Sequence, residues 1–263
     1  MDFTAIEESL GLIVGGLFAA LLVVTELGYR FGRWRRGDDG EESTSTRTTI
    51  EGGLLALLGL LLAFTFSMSV ARFDQRKALV LDEANALGTA YLRTGFLPEA
   101  ERAESRALLR HYLDVRLGLY LGGYDPQRFA AALAETDETQ TRLWRLASQA
   151  AAADPRSVPV GLYVAALNEV IDLHESRVTA AFNRVPGIVL VVLSLLAIGG
   201  VWNLGYFCGI ARSRNLVSTT VFSVLIALVI AVIIDLDRPR EGFIRVGQQP
   251  LLDVRAAMQR DGP

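Results

Sequence analysis

GGLLALLGLLLAFTFSMSVA, residues 52–71, contains no charged side chain and no proline. The hydrocarbon core of a bilayer is about 30 Å thick, so roughly 20 apolar helical residues cross it. In lipid only helices and closed barrels satisfy their own backbone hydrogen bonds. This run lacks the alternation of a barrel strand, which makes it a helical membrane span. The chain continues as RFDQRKALVLDEANALGTAYLRTGF, residues 72–96, again without proline. That continuity predicts one long helix that leaves the membrane and projects into water as far as about Thr94 and Gly95.

Three further apolar blocks flank this helix. The first span covers about residues 10–29 and carries Gly11, Gly15, Gly16 and Ala20 on one face, a spacing that lets helix backbones approach closely in lipid. Its acidic start, MDFTAIEESLG, lacks the basic region of a signal peptide, so the span is expected to be retained. Glu26 lies near its end, and Tyr29 and Arg30 place that end at the interface. Residues 30–49, RFGRWRRGDDGEESTSTRTT, show no apolar periodicity and are expected to form a flexible polar loop, with Thr48 or Thr49 capping the second span. The third span follows Pro186 and covers about 187–207, closing on Trp202, Tyr206 and Phe207. The fourth covers about 216–234.

The fold class expected is all-α, with two transmembrane hairpins, residues 1–71 and 185–237, around a soluble helical domain at 72–184. Within that domain Pro98 opens a helix from Glu99 to Leu121. Asp125-Pro126 opens another that ends near Asp154-Pro155, and Ser157 with Pro159 opens a third that ends at Arg184. Residues 238–263 form an amphiphilic C-terminal tail, expected to return along the domain or the membrane surface.

Composition removes several function classes. Apolar residues make up 51% of the chain and the net charge is −3, with no basic tract, so nucleic-acid binding has no support. Cys208 is the only cysteine, so no intrachain disulfide forms. His111 and His174 have no second ligand at metal spacing, so neither a metal nor a cofactor is expected. No GxSxG, Walker loop or HExxH is present, and the protein is not expected to be an enzyme. Arg30, Arg33, Arg35, Arg36 and Arg47 in one short loop, with Arg212 and Arg214 in the other, place both loops in the cytoplasm and the helical domain outside.

Two constellations are candidates for function. Leu60, Phe64 and Met68 recur every four residues on the second span, as do Leu62, Phe66 and Val70. In an oligomer such a row can gate a pore by dewetting; on an isolated helix it faces lipid. Beyond the span, Asp82, Asn85, Thr89 and Arg93 share one helical face. Asn168, Asp172, Ser176, Thr179 and Asn183 form a second polar stripe on the helix before span three. The stripes either line an aqueous vestibule, hydrogen-bond each other across the helix pair, or face water.

The stretches LLLAFTFSMSVARFDQRKALVLDEANALGTAYLRTGFLP (60–98) and DLDRPREGFIRVGQQPLLDV (235–254) resemble a bacterial multi-pass membrane family labelled bestrophin-like. The resemblance implies a place in the bacterial inner membrane and a homo-oligomer, a pentamer if assembled as bestrophins are. It further implies passage of inorganic ions through a pore lined by the second span, with Leu60, Phe64 and Met68 as the corresponding apolar row. It also implies a domain on the cytosolic side, opposite to the arginine count. Two functions follow as expectations: an oligomeric ion channel, or a non-conducting membrane sensor or scaffold whose helical domain binds a partner or ligand.

Overall fold

The computed structural model describes residues 3–35, 41–121, 125–214, 216–238 and 242–260. Among these residues all regular structure is helical: α1 (Phe3–Trp34), α2 (Glu41–Arg93), a 3₁₀ turn (Thr94–Phe96), α3 (Glu99–Leu121), α4 (Pro126–Ala153), α5 (Val158–Phe182), α6 (Gly187–Ile210), α7 (Leu216–Asp237) and α8 (Gln249–Arg260). Four stretches are long and apolar enough to cross a membrane, lying in α1, α2, the α5–α6 segment and α7.

The local signals explain the helix starts in the domain. The Asp125 carboxylate accepts from the Gln127 amide at 2.9 Å, with Pro126 at the first helical position. The Ser157 hydroxyl accepts from the Val160 amide. One stretch differs from the sequence reading. The polar loop expected over 30–49 is mostly helix: α1 runs on to Trp34 and α2 already begins at Glu41. Nothing between Glu41 and Thr49 breaks a helix, and low hydrophobicity alone does not stop one. The tail returns along the domain, where Leu251 and Met258 of α8 join the core formed with α2 and α3.

α2 belongs to two cores. Its membrane half gives Leu58 to a cluster with Leu21 of α1, Leu193, Ala197 and Val201 of α6, and Ile226, Ile230 and Ile233 of α7. Its outer half gives Val80, Ala84, Leu87 and Tyr91 to a cluster with Leu109, Tyr112 and Leu113 of α3, Leu143 of α4, and Tyr163, Leu167 and Val170 of α5.

The closest approach in the membrane half is α1 against α6. A Cβ at Gly28 would collide with the Trp202 carbonyl, and one at Gly32 with the Tyr206 carbonyl. Reciprocally, a Cβ at Gly205 or Gly209 would collide with the carbonyls of Thr25 and Tyr29. Both helices thus use glycines four apart to bring backbone against backbone. The face chosen from sequence, Gly11, Gly15 and Gly16, is exposed and has nothing within 4 Å of an added Cβ. At the same end of the bundle Glu26 accepts from Arg30 Nε at 2.9 Å and Arg214 Nη2 at 2.8 Å, joining α1 to the α6–α7 turn.

Candidate functional site

Leu60, Phe64 and Met68 all point away from the bundle that α2 joins. Phe64 is 61% exposed, Leu60 52% and Met68 38%. The buried face of the same helix carries Leu58, Thr65 and Ser69 instead. The Thr65 hydroxyl donates to the Leu61 carbonyl at 2.7 Å, so it needs no second helix. The apolar row is therefore open to lipid or to other copies of the chain.

The polar stripes lie on exposed surface. Asp82, Asn85, Asn168, Asp172 and Ser176 are exposed, and Thr89 and Arg93 are half-buried. Asn168 donates to Asp172 at 2.8 Å within its own helix. Arg93 reaches across to α5, donating to the Leu162 carbonyl at 2.8 Å. Where α2 and α5 meet, they pack through apolar side chains and a buried charged cluster one step round the helix from Asp82.

That cluster centres on Glu83, which is fully buried. Its Oε1 accepts from the Tyr112 hydroxyl at 2.6 Å and from Arg116 Nε at 3.0 Å. Its Oε2 accepts from Arg177 Nη1 and, at 3.5 Å, from Arg116 Nη2. Arg177 Nη2 donates onward to Gln248 Oε1 at 3.0 Å, which draws in the segment before α8. The Tyr120 ring lies against both guanidiniums, 4.4 Å from that of Arg177 and 5.4 Å from that of Arg116. Burial alone would raise the Glu83 carboxyl, but the charges of Arg116 and Arg177 and the Tyr112 hydroxyl hold it down to about 2. Burial, with the neighbouring carboxylate, pushes the Tyr112 phenol well above its ordinary value. Two guanidiniums facing one carboxylate leave a buried excess of positive charge.

Beside this cluster is a pocket of about 60 Å³ lined by Arg76, Val80, Tyr120, Arg177, Arg245 and Gln248, among others. Arg76 lies just over one turn beyond the uncharged stretch 52–71 of α2. It donates to the Ala180 carbonyl at 3.0 Å, the Asn183 carbonyl at 2.9 Å and the Leu236 carbonyl at 3.0 Å. One side chain thus satisfies orphan carbonyls at the C-terminal ends of α5 and α7 while anchored in α2. Two aspartates complete the joint. Asp237 accepts from the Val185 amide at 2.8 Å. Asp235 accepts from the amides of Phe243 at 2.8 Å and Ile244 at 2.9 Å.

Sequence reasoning singled out Asp82 and passed over Glu83. The partners of Glu83 stand 29, 33 and 94 residues away, so no local spacing reveals them. His174 is a packing residue. Its ring is buried against Tyr112, with centroids 6.3 Å apart, and burial, with the Arg116 charge, lowers it to about 4, so it is neutral.

The family model described as a Bestrophin-like domain matches residues 14–251. The comparison with curated proteins yields no match. Among solved structures, a variant of a bacterial bestrophin homolog from Klebsiella pneumoniae is 16% identical with a TM-score of 0.66; the alignment covers 95% of this chain and 97% of that one. A second variant of that protein is 16% identical with a TM-score of 0.65, covering 93% and 96%. A third structure of the homolog is 17% identical with a TM-score of 0.61, covering 92% and 95%. At these identities the likeness speaks for the fold.

Proposed function

The chain belongs to the bestrophin-like family, and from that membership we propose that it is one subunit of a homo-oligomeric ion channel whose axis is lined by α2. The observation that carries this reading is the outward row of Leu60, Phe64 and Met68. These side chains project from an uncharged span, away from the subunit's own bundle, at one helical turn per step. Five copies around an axis would turn the row into stacked apolar rings. A ring of that kind holds a pore closed by excluding water and opens when it widens by a small amount. The membrane is the bacterial inner membrane.

The joint around Arg76 supplies a route for control. It ties the α2 exit to the ends of α5 and α7, so a shift in the domain is transmitted to three helices at once. The polar stripes, exposed on each subunit, would line the aqueous approach to the rings.

Single-channel recording from purified, assembled protein in planar bilayers tests the reading. Current is expected, and Phe64→Ala or Met68→Ala should raise the unitary conductance by removing bulk from a ring. Silence from correctly assembled protein overturns it. The pocket beside Arg76 favours a second reading, a non-conducting sensor whose domain binds a ligand. A monomer in detergent, seen by light scattering or negative-stain microscopy, would favour that reading and exclude an axial pore.

A further inference from the structure

The α4–α5 interface brings Asp137 of α4 against two consecutive residues of α5, His174 and Glu175. One ring nitrogen of His174, one carboxylate oxygen of Asp137 and one of Glu175 all lie within 4.8 Å of one another. Asp137 and Glu175 are exposed, whereas His174 is 1% exposed, so an imidazole forms the floor of a site with two carboxylates at its mouth. Buried ring nitrogens ordinarily find a hydrogen-bond partner. His174 Nδ1 has none among the described residues. Asp137 and Glu175 set two negative charges beside the ring, on which the charges of Arg116 and Arg177 also act. The Tyr112 ring contact holds the imidazole from behind.

We propose that Asp137, His174 and Glu175 form a binding site for a divalent transition-metal ion of the zinc class. One imidazole nitrogen and two carboxylate oxygens are a donor set that suits zinc and its neighbours; magnesium and calcium favour oxygen donors throughout. Ligands at about 2.0–2.2 Å from a tetrahedral ion lie about 3.4 Å from each other. The three donors lie within 4.8 Å of one another, and binding requires the two exposed carboxylates to close to the ligand spacing around the buried imidazole. Three protein ligands leave a fourth position to water. An ion held here clamps α4 onto α5, the helix that precedes the third span, and relieves the repulsion between the carboxylates.

The test uses full-length protein in detergent, stripped with a chelator and titrated with zinc against a chromophoric competitor. One ion per chain is expected. Asp137→Asn and Glu175→Gln change only exposed side chains and should each weaken binding by at least about ten-fold, since even outer-shell substitutions cost that much. His111→Asn alters the exposed His111–Glu135 pair elsewhere in the domain and should leave binding unchanged. Cobalt in place of zinc should give a spectrum of nitrogen and oxygen ligation. Three results overturn the proposal: no saturable binding, wild-type affinity in Asp137→Asn and Glu175→Gln, or a thiolate charge-transfer band showing that Cys208 holds the ion. Because the readout is metal binding, it is independent of whether the protein conducts.

Discussion

The membrane bundle and the domain, which α2 joins, are held by opposite means. In the membrane half, the tightest contact in the bundle is made by removing side chains: Gly28, Gly32, Gly205 and Gly209 let α1 and α6 touch backbone to backbone. In the domain half, the tightest contact is made by adding charge: Glu83 is clasped by Tyr112, Arg116 and Arg177 inside an otherwise apolar core. The difference follows from what surrounds each half. Lipid is as apolar as leucine, so burying leucine there discriminates little, and close packing must supply the cohesion. Water makes apolar burial worth about 25 cal/mol per Å², so the domain core forms readily. It can then accommodate a charged cluster, provided every member is partnered.

The sharpest way to break the comparison is to remove the centre of the cluster. Glu83→Ala leaves two guanidiniums buried with no carboxylate between them. Removing one member of such a buried group costs about 3–5 kcal/mol. Thermal unfolding in detergent should show a large drop in midpoint, with the domain failing first. The pH dependence has a definite sign. The Glu83 carboxyl lies lower in the folded protein, at about 2, than its ordinary value of 4.5. Its contribution is therefore complete above pH 4.5 and is lost as pH falls from 4.5 towards 2. Wild-type stability should decline across that window, and Glu83→Gln should lack that part of the slope.

Next in size is an insertion into the glycine contact. A Cβ at Gly205 would collide with the Thr25 carbonyl. Gly205→Val should therefore destabilise the membrane half by about 1–3 kcal/mol through overpacking, read as a lower midpoint and a broadened elution profile. Gly15→Ala is the matched control. It adds a methyl to another membrane helix where nothing lies within 4 Å, and no loss of stability is expected. If Gly15→Ala were as damaging as Gly205→Val, the contrast would fail, since contacts between chains would then explain both.

These pairs also mark where the sequence could be read and where it could not. Spans are legible because a 20-residue apolar helix satisfies its hydrogen bonds alone and needs no partner to be identified. The caps at Asp125 and Ser157 are legible because donor and acceptor lie within three residues. Gly15 and Gly205 are the same residue in similar helices, and only the partner, supplied from the far end of the chain, separates them. Asp82 and Glu83 are neighbouring carboxylates, one in water and one in the core. His174 showed no ligand spacing because Asp137 reaches it from another helix. The start of α2 at Glu41 was missed for a different reason: polar helical residues carry no periodic signal.

A smaller effect is expected at the joint. The Asp235 side chain accepts from two backbone amides, Phe243 and Ile244, and so shapes the turn that sends the tail back along the domain. Asp235→Ala leaves both amides unpaired, at about 1–3 kcal/mol for a buried donor. The expected signature is local: faster tryptic cleavage after Arg245, with the midpoint of the membrane bundle unmoved. Cleavage at the wild-type rate would mean that α8, docked through Leu251 and Met258, holds the tail without the turn.

The smallest effect gives the cleanest measure of burial. Arg142 and Glu104 pair across α4 and α3 at 3.1 Å, but their side chains are 48% and 49% exposed. Exposed pairs are worth about 0–1 kcal/mol, because water screens both charges already. Glu104→Gln should be nearly silent in the same unfolding assay, and what effect it has should vanish in high salt. Glu83→Gln is the same chemical change, in the same domain, on a carboxylate that also faces arginine. If the two variants differ by several kcal/mol, exclusion of water gives Glu83 its weight. If they behaved alike, the Glu83 cluster would be one more ion pair, and the contrast between the membrane bundle and the domain would rest on the glycines alone.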